Sequence, residues 1–244
     1  MKLLLLAGTS QARRLAEQLA TEARIDVIAS LSGATREPAT LPVPMRVGGF
    51  GGDKDQEGYI VINGFDAVVD ATHPFASRIS HRTYDICRRL NVPYLQLLRP
   101  GWSAGAGDDW TWVESGLEAA AHIPPGSVVF LATGRQTLHE FRNLPGRHLI
   151  CRQIDPPEGA FPFENGEYLV GRPPFSVEDE IALFRARAVT WLVVKNAGGD
   201  LSRTKLDAAR ALGIPVLMIN RPEQPAGEKA ATVAAGMQWI RARL

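Results

Sequence analysis

Leu3-Leu4-Leu5-Leu6-Ala7-Gly8-Thr9-Ser10-Gln11 is the stretch on which the fold reading turns. Four successive leucines show no polar alternation, so neither face of such a strand is meant for water, and strands buried on both faces belong to parallel sheets covered by helices. Gly8 ends the apolar run, and Thr9 or Ser10 offers a hydroxyl suited to capping a helix. Beyond it Ala12, Leu15, Ala16 and Leu19 recur on one face at helical spacing. The stretch reads as strand, tight turn and amphipathic helix, the opening of an α/β fold.

Working outward, short apolar runs at 27–31, 67–71 and 94–98 repeat the strand pattern, and a helix over 77–90 carries Ile79, Ile86 and Leu90 in one stripe. From 99 to 109 the chain becomes rich in Gly, Ala and Pro and loses its periodicity, which reads as an interdomain crossing or an exposed loop. A second set of strands is expected at 128–132, 148–151, 190–194 and 216–219, with helices near 136–141, 177–187, 203–212 and 228–243. The Pro- and Gly-rich stretch 155–175 receives no element. The expectation is an α/β protein of two Rossmann-like parallel-sheet domains, 1–105 and 106–244, facing a cleft. Small-residue turns at Ala7-Gly8-Thr9, Ala71-Thr72-His73, Ala132-Thr133-Gly134 and Asn196-Ala197-Gly198 would all stand at carboxyl ends of strands, where open α/β sheets bind ligands.

Composition narrows the partners. The 244 residues are 45% hydrophobic and 22% charged, enough for one large core or two smaller ones. Twenty-seven basic residues balance 26 acidic ones, so the total charge points to neither nucleic acid nor an anionic membrane, and any anion site must be local. The apolar start breaks at Gly8 and meets Arg13 and Arg14, too soon for a membrane span and without the layout of a signal peptide. Cys87 and Cys151 stand far apart without metal-ligand spacing, so both read as reduced thiols in the cytoplasm, and a monomer is the default expectation.

Three segments carry chemistry. Gly8, Thr9 and Ser10 at a helix start form a candidate phosphate site, because backbone amides there attract anions and glycine permits close approach. The run lacks G-x-G-x-x-G, and an ordinary capped turn is the competing reading. The second strand ends Ser30-Leu31-Ser32-Gly33-Ala34-Thr35-Arg36, with hydroxyls and an arginine where an NAD site usually has an acid. That favours NADP, with Ser32, Gly33 and Arg36 near a 2′-phosphate, although a lone arginine is also commonly a solvated loop residue. Asp70-Ala71-Thr72-His73-Pro74-Phe75-Ala76 follows a buried strand; Pro74 suits the first turn of the next helix, and Thr72 or His73 faces the ribose or nicotinamide region.

With these runs, Gly8-Thr9 and Ala12-Arg13, the 70–76 segment, Thr133-Gly134-Arg135, Lys195-Asn196-Ala197-Gly198-Gly199, Thr204-Lys205-Leu206-Asp207-Ala208-Ala209, Gly213-Ile214-Pro215-Val216 and Asn220-Arg221-Pro222 in order, the chain resembles the precorrin-6A reductase family and its cobalt-precorrin-6A counterpart. It departs from the family pattern at Ala7 and Gln11, where a second glycine and an acidic residue are expected. The resemblance implies NADPH as cofactor, no metal, and reduction of precorrin-6A to precorrin-6B in vitamin B12 biosynthesis, with hydride delivered beside the link between rings A and D. It makes 1–105 the NADP-binding and 106–244 the substrate-binding domain.

A tetrapyrrole polycarboxylate calls for local cations, and Arg99, Arg135, Lys195, Arg203 and Lys205 are the candidates. Arg99, Thr133, Gly134 and Arg135 are also assigned to the cofactor side; Lys195, Asn196, Gly198, Arg203, Thr204 and Lys205 to the substrate. Lys195 either pairs with a carboxylate or stabilises charge during reduction, and the proton for the second ring carbon comes from His73, Lys195 or water. Arg203 and Lys205 are equally readable as solvated helix charges. The competing functions are an NADP-dependent reductase of another anionic substrate and a non-catalytic dinucleotide sensor.

Overall fold

In the computed structural model, which describes residues 1–33, 36 and 40–244, the leucine run becomes strand β1 (Lys2–Leu6). Leu3 and Leu5 enter the apolar core shared with helix α1 (Ser10–Leu19), while Leu4 and Leu6 enter a different core with Ile60, Ile86 and Cys87. Both faces of the strand are thus used, as its unbroken apolar character requires. β2 (Asp26–Leu31), β3 (Met45–Val47), α2 (Asp53–Asn63), β4 (Ala67–Asp70), α3 (Ser77–Leu90) and β5 (Tyr94–Leu97) follow. The chain continues with β6 (Trp110–Val113), α4 (Ala119–His122), β7 (Val128–Ala132), β8 (His148–Gln153), β9 (Gly166–Val170), α5 (Val177–Ala186), β10 (Trp191–Lys195), α6 (Thr204–Leu212) and β11 (Val216–Ile219). It ends with β12 (Glu228–Ala230) and α7 (Val233–Arg241).

Two six-stranded sheets result, ordered β12-β5-β4-β1-β2-β3 and β6-β11-β10-β7-β8-β9. Every pairing is parallel. In the first sheet the chain winds outward through β1, β2 and β3, returns to the centre and winds outward through β4, β5 and β12; in the second, β7, β8 and β9 run one way and β10 and β11 the other, with β6 at the edge beside β11. The direction reverses between β1 and β4 in the first and between β7 and β10 in the second, the Rossmann-like arrangement whose ligand position is that switch point.

The domain limits differ from the expectation. One unit comprises 1–100 with 222–244, the other 101–221. The last segment returns because β12 pairs with Leu95–Leu97 of β5, and Met237, Trp239 and Ile240 of α7 bury in the core of α1. The helix expected over 228–243 accordingly starts at Val233, where the Thr232 hydroxyl accepts from the Ala235 amide at 3.1 Å, after a three-residue edge strand too short to show periodicity.

Two further corrections concern local geometry. The helix expected at 136–141 is a 3-10 segment, Arg135–Phe141, whose buried Leu138 and Phe141 lie three residues apart, the spacing at which 3-10 side chains align. The unassigned 155–175 stretch contains β9, a half-exposed edge strand against which Phe161 stacks on Tyr168 at 5.0 Å. Among the described residues no helix is long and apolar enough to cross a membrane.

Candidate functional site

In the first unit the turns after β1 and β4 meet across the switch point. The Thr9 hydroxyl donates to the Ala71 carbonyl at 2.8 Å and accepts from the Ala12 amide at 3.1 Å, so Thr9, rather than Ser10, caps α1 and ties the two turns together. The amides of Ser10 and Gln11 have no acceptor within the helix. Gly8 has φ +142°, and a Cβ built there meets nothing within 4 Å: the backbone is of a kind only glycine adopts without strain, beside open space at a helix N-terminus.

The turn after β4 is organised by buried Asp70. Its Oδ1 accepts from the Thr72 amide at 3.0 Å and the Thr72 hydroxyl at 2.7 Å, and its Oδ2 accepts from the Tyr94 hydroxyl at 2.9 Å. Burial, followed by the Asp70 charge and hydrogen bond, pushes the Tyr94 pKa upward, so Tyr94 remains a donor. His73 Nδ1 accepts from the Phe75 amide at 3.3 Å, which places the neutral ring's proton on Nε2. The Ala76 amide donates to the His73 carbonyl at 2.7 Å, so Pro74 occupies a β-turn before α3 instead of the helix's own first turn. Gln224, on the returning segment, donates to the Pro74 carbonyl at 3.0 Å and accepts from Gln96 at 2.8 Å.

At the carboxyl end of β2, Ser30 accepts from Arg46 Nη1 at 2.7 Å, while Arg46 Nη2 donates to the Gly49 carbonyl at 3.1 Å. Ser32, Gly33 and Arg36 follow, all exposed; Ala34 and Thr35 lie outside the described residues. Arg99 follows β5 in this same unit.

The second unit repeats the plan with different chemistry. Lys195 ends β10, and its Nζ donates to the Thr133 carbonyl at 3.0 Å, joining the turns after β7 and β10 as Thr9 joins those of the first unit. Burial lowers the Lys195 pKa, opposed by the charge of Glu140. Thr133 is buried, and among the described residues its hydroxyl has no hydrogen-bond partner. Gly134 has φ +76° with open space at its Cβ position, leading into exposed Arg135. Buried Asn196 accepts from the Trp102 amide at 2.7 Å and donates to the Trp102 carbonyl at 3.2 Å, and Trp102 Nε1 donates to the Gly199 carbonyl at 3.0 Å. Arg221 donates to the carbonyls of Asn196 at 2.6 Å and Ala197 at 2.9 Å.

The cations at the start of α6 have different surroundings. Arg203 lies 3.2 Å from Asp207 and 3.6 Å from Asp108. Burial alone would raise the Asp108 pKa, but hydrogen bonds from Arg210 and the Gly105 amide, with the charges of Arg210 and Arg203, hold it below the usual range. Lys205 donates to the Ser202 carbonyl at 2.6 Å, and its pKa is pulled down to about 8 by burial and by Arg152, against the opposing charge of Glu180. Arg152 and Glu180 form a buried two-point ion pair at 2.7 and 2.8 Å.

Thus Gly8, Thr9, Ser10, Thr72, His73 and Pro74 gather at one switch point, and Thr133, Gly134, Lys195, Asn196 and Gly198 at the other. Thr133, Gly134 and Arg135 share their unit with Lys195.

These two switch points fall within a single family match, since the precorrin-6x reductase CbiJ/CobK family matches residues 2–241. The chain belongs to this family. Precorrin-6A reductase of Rhodococcus erythropolis is 42% identical over 242 residues, covering 98% of this chain and 97% of that protein. Precorrin-6A reductase of Rhodobacter capsulatus is 40% identical over 240 residues, covering 98% and 95%. A solved structure, CobK precorrin-6A reductase, superposes with a TM-score of 0.95 at 40% identity, covering 100% of this chain and 97% of that one. The expected family and the expected pair of Rossmann-like sheets are both borne out.

For this family member the sequence reading missed Arg46, Tyr94, Trp102 and Arg221, which hold the site turns from elsewhere in the chain. Arg221 was within a quoted run, and its following proline marked the end of a segment. Trp102 lay in the stretch read as a crossing, and nothing local marked Arg46 or Tyr94.

Proposed function

We propose that this precorrin-6x reductase family member reduces precorrin-6A to precorrin-6B in cobalamin biosynthesis, with NADPH as the hydride donor. The observation that carries the reading is the family match over 2–241, which takes in both switch points. Relatives matched over 95% and 97% of their own lengths are named precorrin-6A reductases, which supports the metal-free substrate.

NADPH, when bound, supplies the hydride and leaves as NADP⁺, while a proton completes the two-hydrogen gain. Unit one fits such a cofactor: bare Gly8 and the amides of Ser10 and Gln11 offer a pyrophosphate cradle, and the Asp70-anchored turn fixes Thr72 and His73 beside it. In unit two, Lys195, Asn196 and Gly198 are the residues that would bind the macrocycle. Lys195, held against Thr133, either pairs with a substrate carboxylate or delivers the proton; desolvation makes its ammonium a stronger acid than a solvated one. The alternative is a proton delivered by a water hydrogen-bonded to His73 Nε2. Both exclude a need for a nucleophilic residue, since the chain's work is orientation and charge placement.

The test incubates purified protein with NADPH and metal-free precorrin-6A, following loss of reduced nicotinamide and the product mass. An NADPH-dependent gain of two hydrogens is expected. Turnover of only the cobalt-bearing macrocycle would move the substrate assignment, and NADPH binding with no turnover of either would leave a dinucleotide sensor.

A further inference from the structure

We infer that Arg46 is a preorganised receptor for a phosphomonoester dianion, and that through it the first unit distinguishes NADPH from NADH. This deepens the cofactor reading above and rests on it.

The argument begins with position. Arg46 lies on β3 in direct register with Ser30 of β2. The carboxyl end of the second strand is where dinucleotide folds meet the adenosine ribose, and an acid there bonds the diol of NAD while a nearby arginine accommodates the extra phosphate of NADP. Here Ser30 stands at that end, 2.7 Å from Arg46 Nη1.

Geometry sharpens the case. The guanidinium carbon lies 4.1 Å from the Phe50 ring centroid and 5.2 Å from that of Tyr59, and the two rings are 5.4 Å apart. Two hydrogen bonds, to Ser30 Oγ and the Gly49 carbonyl, fix its rotation on that platform. A guanidinium has five N–H donors, so three remain after these two bonds. Among the described residues no carboxylate forms an ion pair with Arg46. The nearby acids of α2 are otherwise engaged: Asp53 lies 3.8 Å from Arg82, and Asp55 accepts from the Gly52 amide at 3.0 Å.

An arginine whose plane is held and whose charge is not neutralised is suited to a planar-fork contact with phosphate, because the ordering cost of the long side chain is already met before the ligand arrives. Both anchors are neutral, so the positive charge remains available. Arg36, the cation the sequence brought forward, is exposed.

The experiment is calorimetric titration of the full chain with four probes: NADPH, NADH, adenosine 2′,5′-bisphosphate and 5′-AMP. Wild type is expected to prefer the member of each pair that carries the 2′-phosphate. Arg46→Ala should weaken NADPH and the bisphosphate roughly 10- to 100-fold, the range of a charge-assisted hydrogen-bond pair, while NADH and 5′-AMP change less than about twofold. Those two unchanged affinities report an intact fold. Phe50→Leu keeps the arginine and removes the nearer ring of its platform, and is expected to reduce the same preference. Retention of the full NADPH preference by Arg46→Ala overturns the inference and leaves the cofactor reading standing. Failure of wild type to bind either dinucleotide removes that reading, and this inference with it.

Discussion

Replacing Asp70 by alanine tests whether the turn that carries His73 is held by a buried carboxylate. Asp70 is 1% exposed and accepts three hydrogen bonds, two from Thr72 and one from Tyr94. Truncation leaves the Tyr94 hydroxyl stranded at a site 6% exposed, a loss of about 1–3 kcal/mol for an unsatisfied buried group. The Thr72 amide loses about 1 kcal/mol more, while the Thr72 hydroxyl re-pairs with Ser80, already 3.4 Å away. Relief from burying a carboxylate offsets part of the sum, so a net loss of about 1–3 kcal/mol is expected. Asp70→Asn keeps an acceptor toward Thr72 and lets Tyr94 accept from its amide, at a cost of about 1 kcal/mol. With two units a single unfolding free energy is not well defined, so the assay is hydrogen exchange by mass spectrometry, comparing peptides of β4 and β5 with those of β10. Alanine should release protection in β4 and β5 and leave β10 unchanged. A change below about 1 kcal/mol in β4, or an equal change in β10, would refute the anchoring role.

Lys195→Ala should lower macrocycle turnover by about 100-fold while NADPH affinity measured by titration changes less than about twofold; because burial lowers its pKa, the alkaline limb of a Lys195-dependent kcat/KM profile should fall below the ordinary lysine value. Lys205 titrates near 8 in the folded chain against 10.5 for a free lysine, so the unfolded chain binds more protons between those values and stability rises with pH across that window. The full effect is about 3 kcal/mol, lost again as pH falls through 8, and Lys205→Met should flatten this rise in urea midpoints followed through exchange in α6.

What the sequence disclosed follows from the range of each interaction. Leu3 to Leu6 announced a doubly covered strand because burial on both faces is written in every consecutive position. The four small-residue turns were legible as a set because each sits at its own strand's end, and the parallel order then places them in pairs at the switch points. The partners that fix those turns were not legible: Thr133 lies 62 residues before Lys195, and Trp102 lies 94 before Asn196. Arg46 belongs to a three-residue edge strand that has no alternation to read.

The misplaced domain boundary has the same origin and a consequence for function. β12 contributes three residues to the edge of the first sheet, and only pairing with β5 reveals its allegiance. Its lead-in carries Gln224, whose amide bonds the Pro74 carbonyl while its oxygen takes the Gln96 amide. The turn bearing His73 is therefore supported from below by Asp70, through residues close in sequence, and from the side by a segment 150 residues distant. A site residue whose neighbours are local was found by pattern, whereas the second support comes from topology. The returning segment is for that reason part of the first unit's site and not a tail of the second.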